Sequence, residues 1–226
     1  MSTAKTTSNQ ATNASVTVCT HPLVQHNLSI LRDQQTSNEL FRSALKRIAT
    51  FILQEACADL PLSKKIIETP ICKAEAHVLA PEVPLIISPI LRAGLALASV
   101  ATELLPTASV YHIGLYRDEE TLKPVTYYNK LPSTIDYSQA RILILDPMLA
   151  TGGSAVAAVD IIKKLGVRVE NLRFVSVIAA PEGVEHLTKA HPGIQIVTAA
   201  LDERLNEKGY IVPGLGDAGD RTFGTV

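Results

Sequence analysis

From Leu85 onward, short apolar runs alternate with helical stretches, and this alternation limits the fold more than any other feature of the sequence. Helices are predicted at about 93–105, 153–165 and 181–190. The apolar runs between them are LIISPI (85–90), SVYHIG (109–114), RILILD (141–146), RFVSVIA (173–179) and IQIVTA (194–199). Such strand–helix–strand units form an open, mostly parallel sheet. We therefore predict an α/β fold whose five-stranded, mostly parallel sheet is flanked by helices.

The composition agrees with this fold and argues against several classes of protein. Aromatic residues make up 4% of the chain and there is no Trp, so the core must be mainly aliphatic, as in covered parallel sheets. The net charge of -1, without a basic stripe, argues against a nucleic-acid partner. Three cysteines without CxxC spacing indicate neither disulfides nor zinc. No apolar run could span a bilayer and no signal peptide is recognisable, so we expect a cytoplasmic protein without a membrane partner.

The first part of the chain is less regular. Residues 1–17 are polar and lack an amphipathic period, so we expect a disordered tail followed by one domain over residues 18–226. Thr36 and Glu39 form a T-x-x-E pattern that predicts a capping box at a helix start. Residues 61–84 hold several prolines and no clean period, which predicts irregular strands or a hood.

The most informative segment is RILILDPMLATGGSAVAAVDIIKKLG, residues 141–166. A buried strand ends at Asp146, and the loop after it leads directly into a helix, so that backbone N–H groups and the helix dipole can converge on a phosphate. Gly152 and Gly153 permit close approach, and Thr151 and Ser154 add hydroxyl donors. A carboxylate repels phosphate, so Asp146 is better explained as a partner of ribose hydroxyls. The alternative is an ordinary strand–turn–helix with a glycine-rich cap.

Three further segments could reach the same edge of the sheet. Arg92 in SPILRAG (88–94) opens a helix, where a cation is unfavourable unless an anion binds. The polar stretch at about 115–132 is long for a structureless connection, which predicts a mobile loop, or else a solvated β-arm used in dimer contacts. The glycine-rich segment GYIVPGLGDAGDR (209–221) interleaves apolar residues, and from spacing alone it is a structural loop.

Together these segments resemble the uracil phosphoribosyltransferases, a family of the type I phosphoribosyltransferase superfamily. DPMLATGGS (146–154) is similar to the family's phosphoribosyl pyrophosphate (PRPP) motif, with Pro147 where most of the superfamily has a second acidic residue. SPILRAG is similar to its pyrophosphate loop, YRDEETL (116–122) to its mobile loop, and GYIVPGLGDAGDR to the hood that binds the base. The resemblance extends from HPLVQHNLSILRD (21–33) to Val226.

The resemblance implies a pyrimidine-salvage enzyme that converts uracil and PRPP into UMP and diphosphate, with Mg²⁺ arriving on PRPP. It assigns catalytic roles to Arg92, Arg117 and Asp217, and places a hood at about 201–226. It implies a cis peptide bond near Leu91–Arg92, a homodimer or homotetramer, and a GTP effector as in some relatives. The implied PRPP-binding residues are Arg92, Arg117, Asp146, Pro147, Met148, Leu149, Ala150, Thr151, Gly152, Gly153, Ser154 and Asp217. The implied uracil-binding residues are Tyr210, Ile211, Gly216, Asp217 and Ala218.

Two other functions stay open on the sequence alone. One is a regulator of the same fold that senses PRPP or UMP and controls a partner. The other is the same chemistry on a different base. The intact ligand motifs favour an enzyme over a regulator, and the C-terminal hood favours uracil over other bases.

Overall fold

The computed structural model describes residues 16–117 and 124–225, with the side chains of Arg117 and Pro124 left out. The helices are α1 (Pro22–Arg32), α2 (Asn38–Ala56), α3 (Leu95–Leu104), α4 (Gly153–Lys163), α5 (Pro181–Ala190) and α6 (Ala218–Phe223). The first seven strands are β1 (Val16–Val18), β2 (Leu62–Glu68), β3 (Lys73–Leu79), β4 (Leu85–Leu91), β5 (Ser109–Val110), β6 (Ile113–Arg117) and β7 (Pro124–Asn129). The others are β8 (Arg141–Leu145), β9 (Met148–Leu149), β10 (Leu172–Ala179), β11 (Gln195–Leu201), β12 (Arg204–Leu205) and β13 (Ile211–Val212).

The predicted α/β architecture with a mostly parallel sheet is confirmed. The main sheet has the order β1-β11-β10-β8-β4-β6-β7, with β5 paired to β4 and β9 to β10. Its pairs are parallel except for β6 and β7. The sheet has nine strands rather than the expected five, because β1, β7 and β9 carry no long apolar run and the run at 109–114 is divided between β5 and β6.

Helices cover both faces of the sheet, and each face has its own apolar core. In β8, Leu143 and Leu145 pack into the cluster beneath α1, α2 and α3. The alternating residues Ile142 and Ile144 pack into the cluster beneath α4 and α5. Successive side chains of a strand point to opposite faces, so a strand buried on both sides reads as a continuous apolar run.

The N-terminal part departs from the sequence predictions. The predicted Thr36–Glu39 capping box is wrong: α2 begins at Asn38, and the hydroxyl of Ser37 accepts a hydrogen bond from the Leu40 N–H at 3.3 Å. The Thr36 hydroxyl instead donates to the Ile30 carbonyl at the end of α1, a helix that was not predicted. Strand β1 includes the last two residues of the predicted tail, and residues 1–15 lie outside the described part of the chain.

Residues 61–84 were predicted to be irregular but contain a regular hairpin. Strands β2 and β3 pair antiparallel along their full length, from Leu62 opposite Leu79 to Glu68 opposite Lys73. The prolines of this region lie before β2, in the turn and after β3, where they break no ladder hydrogen bond. Across residues 16–117 and 124–225, no helix combines the length and the apolar character needed to cross a membrane.

The parallel sheet brings the predicted ligand segments to one edge. Pro89 of β4 lies opposite Leu145 of β8, so the segments that follow these two strands emerge side by side. Ligands bind at this carboxyl edge in open α/β sheets. The antiparallel pair of β12 and β13 and the short helix α6 complete the hood beside it.

Candidate active site

The loop after β8 forms a small concave site. A cavity of about 90 Å³ is lined by Asp146 and residues 148–155. The loop is held from below because Met148 and Leu149 pair in parallel with Ile178 and Ala179 of β10. The 11-residue helix α4 follows at Gly153, so its first N–H groups face the loop. A helix N-terminus that opens onto a concave loop can bind an anion, and phosphate binding at these residues stays a prediction.

The loop residues do not all face the cavity. Pro147 is buried, and its carbonyl accepts hydrogen bonds from the N–H groups of Val177 and Ile178 at 2.9 and 3.1 Å. Pro147 thus secures the loop to the sheet rather than lining the cavity. Thr151 and Ser154 are exposed, which leaves their hydroxyls accessible to a ligand.

Helix α5 supports the loop from behind. Gly152 adopts a left-handed φ of 81°, and a Cβ at this position would be 2.9 Å from the Gly183 carbonyl oxygen. A Cβ on Gly183 would in turn collide with the carbonyl oxygens of Leu149 and Ala150. Nδ1 of His186 lies 2.8 Å from the Thr151 carbonyl oxygen. Two glycines therefore permit the contact between helix and loop, and one histidine bonds across it.

Arg92 lies at the neighbouring strand end. The Leu91–Arg92 peptide bond is cis, which confirms the expectation for this loop. A Cβ on Gly94 would be 2.6 Å from the Ile90 carbonyl oxygen, so this turn requires glycine. The Arg92 side chain is 60% exposed, and one guanidinium nitrogen lies 3.3 Å from a carboxylate oxygen of Asp220 in the hood.

The predicted mobile loop or β-arm at about 115–132 contains the end of β6 and all of β7, which pair antiparallel. Arg117 is the last residue of β6 and lies opposite Pro124 of β7. The tip at 118–123 and the Arg117 side chain are outside the described residues, so the predicted contact between Arg117 and diphosphate stays a prediction.

A second cavity, of about 270 Å³, joins the sheet edge to the hood. On one side it is lined by Ala93 and by Asp146, Met148 and Ala150 of the loop at 146–154, here called the phosphate loop after its predicted ligand. On the other side it is lined by Gly209, Tyr210 and residues 216–219 of the hood. The side chain of Ile211 packs instead in the core beside α2 and is 4% exposed. Four of the five predicted uracil-binding residues thus share one cleft with the predicted ribose partner.

The hood presents backbone donors to this cleft. None of the hydrogen bonds formed among the described residues uses the N–H groups of residues 216–218. The Asp217 side chain caps α6, since Oδ1 accepts from the Asp220 N–H at 2.9 Å. Unpaired N–H groups at a cleft are available to a ligand that carries acceptors.

Two carboxyl groups face the cleft and repel each other. The pKa of Asp146 is raised to about 7: burial is the main cause and the charge of Asp217 adds to it, whereas a hydrogen bond from the Met148 N–H at 3.3 Å acts in the opposite direction. The ionised form of Asp146 therefore gains from any cation or hydroxyl donor brought into the cleft. Within the described residues, no three His, Cys, Asp or Glu side chains are grouped closely enough to hold a metal by themselves.

Comparison with known proteins identifies the family to which this chain belongs. The family model for uracil phosphoribosyltransferase matches residues 18–225. The chain belongs to the uracil phosphoribosyltransferase family. The predicted resemblance, and with it the prediction of a pentosyltransferase enzyme, is confirmed.

Individual relatives agree with the family model over nearly the whole chain. The uracil phosphoribosyltransferase of Streptococcus pneumoniae is 56% identical over 210 residues, which cover 93% of this chain and 98% of that protein. The one from Roseiflexus sp. strain RS-1 is 52% identical over 212 residues, covering 94% and 99%. A solved structure of an Aquifex aeolicus protein superimposes with a TM-score of 0.85 at 38% identity, covering 93% and 98%.

Sequence reasoning did not identify the residues that support the site from outside. Gly183 and His186 belong to APEGVEHL (180–187), at the start of a predicted helix to which the sequence assigned no role in ligand binding. Arg32 lies in HPLVQHNLSILRD, a segment that supported the family resemblance, but no role was predicted for Arg32 itself. Arg32 is the last residue of α1, where a cation complements the helix dipole, so its position gave no signal of a further role.

Proposed function

We propose that this protein transfers the 5-phosphoribosyl group of PRPP to N1 of uracil, forming UMP and diphosphate at the cleft between the phosphate loop and the hood. The observation that carries the proposal is that Asp146 and Ala150 of the loop line the same cavity as Tyr210, Gly216 and Asp217 of the hood. A 5-phosphate held at residues 150–154 would direct the ribose, and its reacting C1, towards the hood.

The phosphate end would be held mainly by the backbone. N–H groups at the start of α4 and the hydroxyls of Thr151 and Ser154 are donors on one concave surface. Asp146 would accept hydrogen bonds from the ribose hydroxyls, which favours its ionised form and offsets the effect of burial on its pKa.

The leaving diphosphate would be bound by Arg92 and Arg117. Glycosyl transfer proceeds through an oxocarbenium-like transition state, in which negative charge gathers on the leaving group. Cations near that group therefore stabilise the transition state more than the ground state. Arg92 can exchange Asp220 for diphosphate at little cost, because an exposed pair at 3.3 Å contributes at most about 1 kcal/mol.

The cleft fits a Mg²⁺ ion that arrives with PRPP. Asp146 and Asp217 supply two carboxylates whose mutual repulsion a divalent cation would relieve. Mg²⁺ commonly keeps waters and substrate phosphates as ligands and takes only one or two carboxylates from the protein, so these residues would hold it. When bound, the ion would neutralise charge on the diphosphate.

The base would be read by main-chain groups. Uracil presents an acceptor–donor–acceptor edge, and the N–H groups of residues 216–218 are donors without partners among the described residues. Cytosine reverses this pattern at N3 and C4, so it would leave buried groups unpaired. Mismatches of that kind can reject an analogue by about 10⁴-fold.

The decisive experiment measures UMP formation from uracil, PRPP and Mg²⁺, with hypoxanthine, orotate and cytosine as competing bases. We expect turnover with uracil alone. Thr151→Val keeps the shape of the side chain and removes its hydroxyl, so it should raise KM for PRPP without changing KM for uracil. PRPP binding without turnover of uracil would refute the proposal and favour the nucleotide-sensing regulator.

Two properties stay predictions drawn from the family resemblance. These are assembly into a homodimer or homotetramer and activation by GTP. Sedimentation velocity would determine the first, and initial rates with and without GTP would determine the second.

A further inference from the structure

Two arginine side chains outside the cleft hold the loop between β13 and α6, here called the base loop (residues 213–217). Arg32 of α1 donates to both carboxylate oxygens of Asp202, at 2.8 and 2.5 Å, and to the Gly214 carbonyl at 2.8 Å. The Gly214 N–H donates back to Asp202 at 2.9 Å. Arg32, Asp202 and Gly214 thus form a closed ring that fixes both polar groups of one base-loop residue.

The second arginine fixes the next residue of the base loop. Arg221 donates to the Leu215 carbonyl at 2.8 Å, to the Asp33 carbonyl at 2.6 Å and to the Leu31 carbonyl. Its guanidinium carbon lies 4.4 Å from the centre of the Phe41 ring. Since Leu31 and Asp33 flank Arg32, both arginines connect the base loop to the same end of α1.

The backbone conformation of the base loop is also restricted at Gly214. Gly214 has a left-handed φ of 67°, and a Cβ there would overlap the Ile211 carbonyl. Hydrogen bonds are directional whereas apolar contacts are not, so the ring around Gly214 defines where the following N–H groups point. Those N–H groups belong to residues 216–218, which line the cleft.

The ion pair between Arg32 and Asp202 is largely buried, and removing charged groups from water costs free energy. The Asp202 side chain is 2% exposed and that of Arg32 is 26% exposed. Replacing a buried ion pair by apolar residues is often neutral or stabilising, so such a pair is weak evidence for a contribution to stability alone. Its use in fixing one arrangement of the backbone is a better explanation here, because every remaining bond of the ring goes to the base loop.

We infer that Arg32, Asp202 and Arg221 are positioning residues for uracil: they touch neither substrate and set the backbone geometry that reads the base. The inference rests on the proposed function, since it assumes that uracil binds at residues 216–218. Its effect should fall mainly on uracil, because the phosphate loop is held by β10 and α5 and not by these three side chains, and only Asp217 of the base loop is shared with the Mg²⁺ of PRPP.

The test compares charge-conserving variants. Arg32→Lys keeps the charge but has a shorter side chain with one nitrogen, so it loses the two-nitrogen pairing with both carboxylate oxygens of Asp202, and Asp202→Asn keeps the shape but weakens the ring. We expect each to raise KM for uracil by about tenfold or more and KM for PRPP by clearly less, since misplacing a binding group by about 1 Å can cost about 100-fold. Discrimination between uracil and cytosine should fall in the same variants.

A matched control lies at the opposite edge of the sheet. Arg173 at the start of β10 is buried and forms a close ion pair with Asp59. Arg173→Lys and Asp59→Asn should lower the melting temperature while leaving both KM values unchanged. If Asp202→Asn does not fold, Arg32→Lys and Arg221→Lys carry the test, because both leave the carboxylate with a cation.

The outcomes are separable. Folded Arg32→Lys and Arg221→Lys proteins with an unchanged KM for uracil, or with both KM values raised equally, overturn the inference. A wild-type protein that makes no UMP from uracil overturns the proposed function instead.

Discussion

Replacing Gly183 by alanine tests whether α5 positions the phosphate loop. Gly183 lies in the first turn of α5, where an Ala is favoured over Gly by about 1 kcal/mol of intrinsic helix propensity. An added Cβ would be 2.7 Å from the Leu149 carbonyl oxygen and closer still to that of Ala150. The local gain and the contact with the loop therefore act in opposite directions, which makes the substitution informative.

The size of the effect follows from the distance by which the loop must move away from α5 to relieve the overlap with the new Cβ. Ordinary contact begins at 3.4 Å and the Ala150 carbonyl oxygen would be 2.3 Å from the new Cβ, so helix and loop must separate by about 1.1 Å. Overpacking of this kind costs about 1–3 kcal/mol of unfolding free energy. A displacement of a binding group by about 1 Å costs about 100-fold, so kcat/KM for PRPP should fall by about 100-fold, that is by about 2.7 kcal/mol.

The assay is initial-rate kinetics with each substrate varied in turn, together with denaturant unfolding. Glu185→Ala is the matched control, because it places alanine on the exposed side of the same helix turn. We expect the control to behave as wild type. A Gly183→Ala protein whose kcat/KM for PRPP stays within about threefold of wild type would refute the idea that this contact sets the loop.

Three further predictions concern the cleft. Folding raises the pKa of Asp146 from about 3.9 to about 7, so the folded state holds the extra proton and unfolding free energy in ligand-free, Mg²⁺-free buffer should fall as pH rises from about 4 to about 7, by at most about 1.4 kcal/mol per pH unit. Asp146→Asn should remove this slope in denaturant titrations, and an unchanged slope would contradict the assignment. His186→Ala removes the bond to Thr151 and should raise KM for PRPP several-fold with KM for uracil unchanged; equal changes in both would argue against a local role. Asp217→Asn should raise the Mg²⁺ concentration that gives half-maximal rate by about tenfold, and an unshifted Mg²⁺ titration would remove Asp217 from the site.

The parts of this protein that could be predicted from sequence are those determined by short-range patterns. The sheet strands β4, β8, β10 and β11 are apolar runs, and the loop at 146–154 combines a strand end, glycines and a helix start within a few residues. The helix α1 was missed although Pro22 at its first turn is a recognised start signal. The hairpin at 62–79 was called irregular because prolines were counted without regard to their positions outside the strands.

The support of the site could not be predicted, because it depends on contacts between distant parts of the chain. Arg32 and Asp202 are 170 residues apart in sequence, and nothing near either one indicates the other. From the sequence alone, Gly183 is only a poor helix former within α5. Its role becomes clear from its contact with the phosphate loop. A glycine or a buried charge that violates a local rule is therefore a useful signal of a contact, although the sequence does not identify the partner.

At both ends of the cleft the proposed ligand contacts are made largely by main-chain N–H groups. The residues that position these groups lie outside the cleft. Substitutions other than proline leave an N–H group in place, so residues outside the cleft can tune binding by moving the backbone: Gly183 and His186 on the phosphate side, Arg32 and Arg221 on the base side. Because the two sets touch different loops, their effects on the two KM values should add independently in a double variant. Strong coupling between His186→Ala and Arg32→Lys would mean that the two loops move as one body, and the separation of base and phosphate recognition argued above would fail.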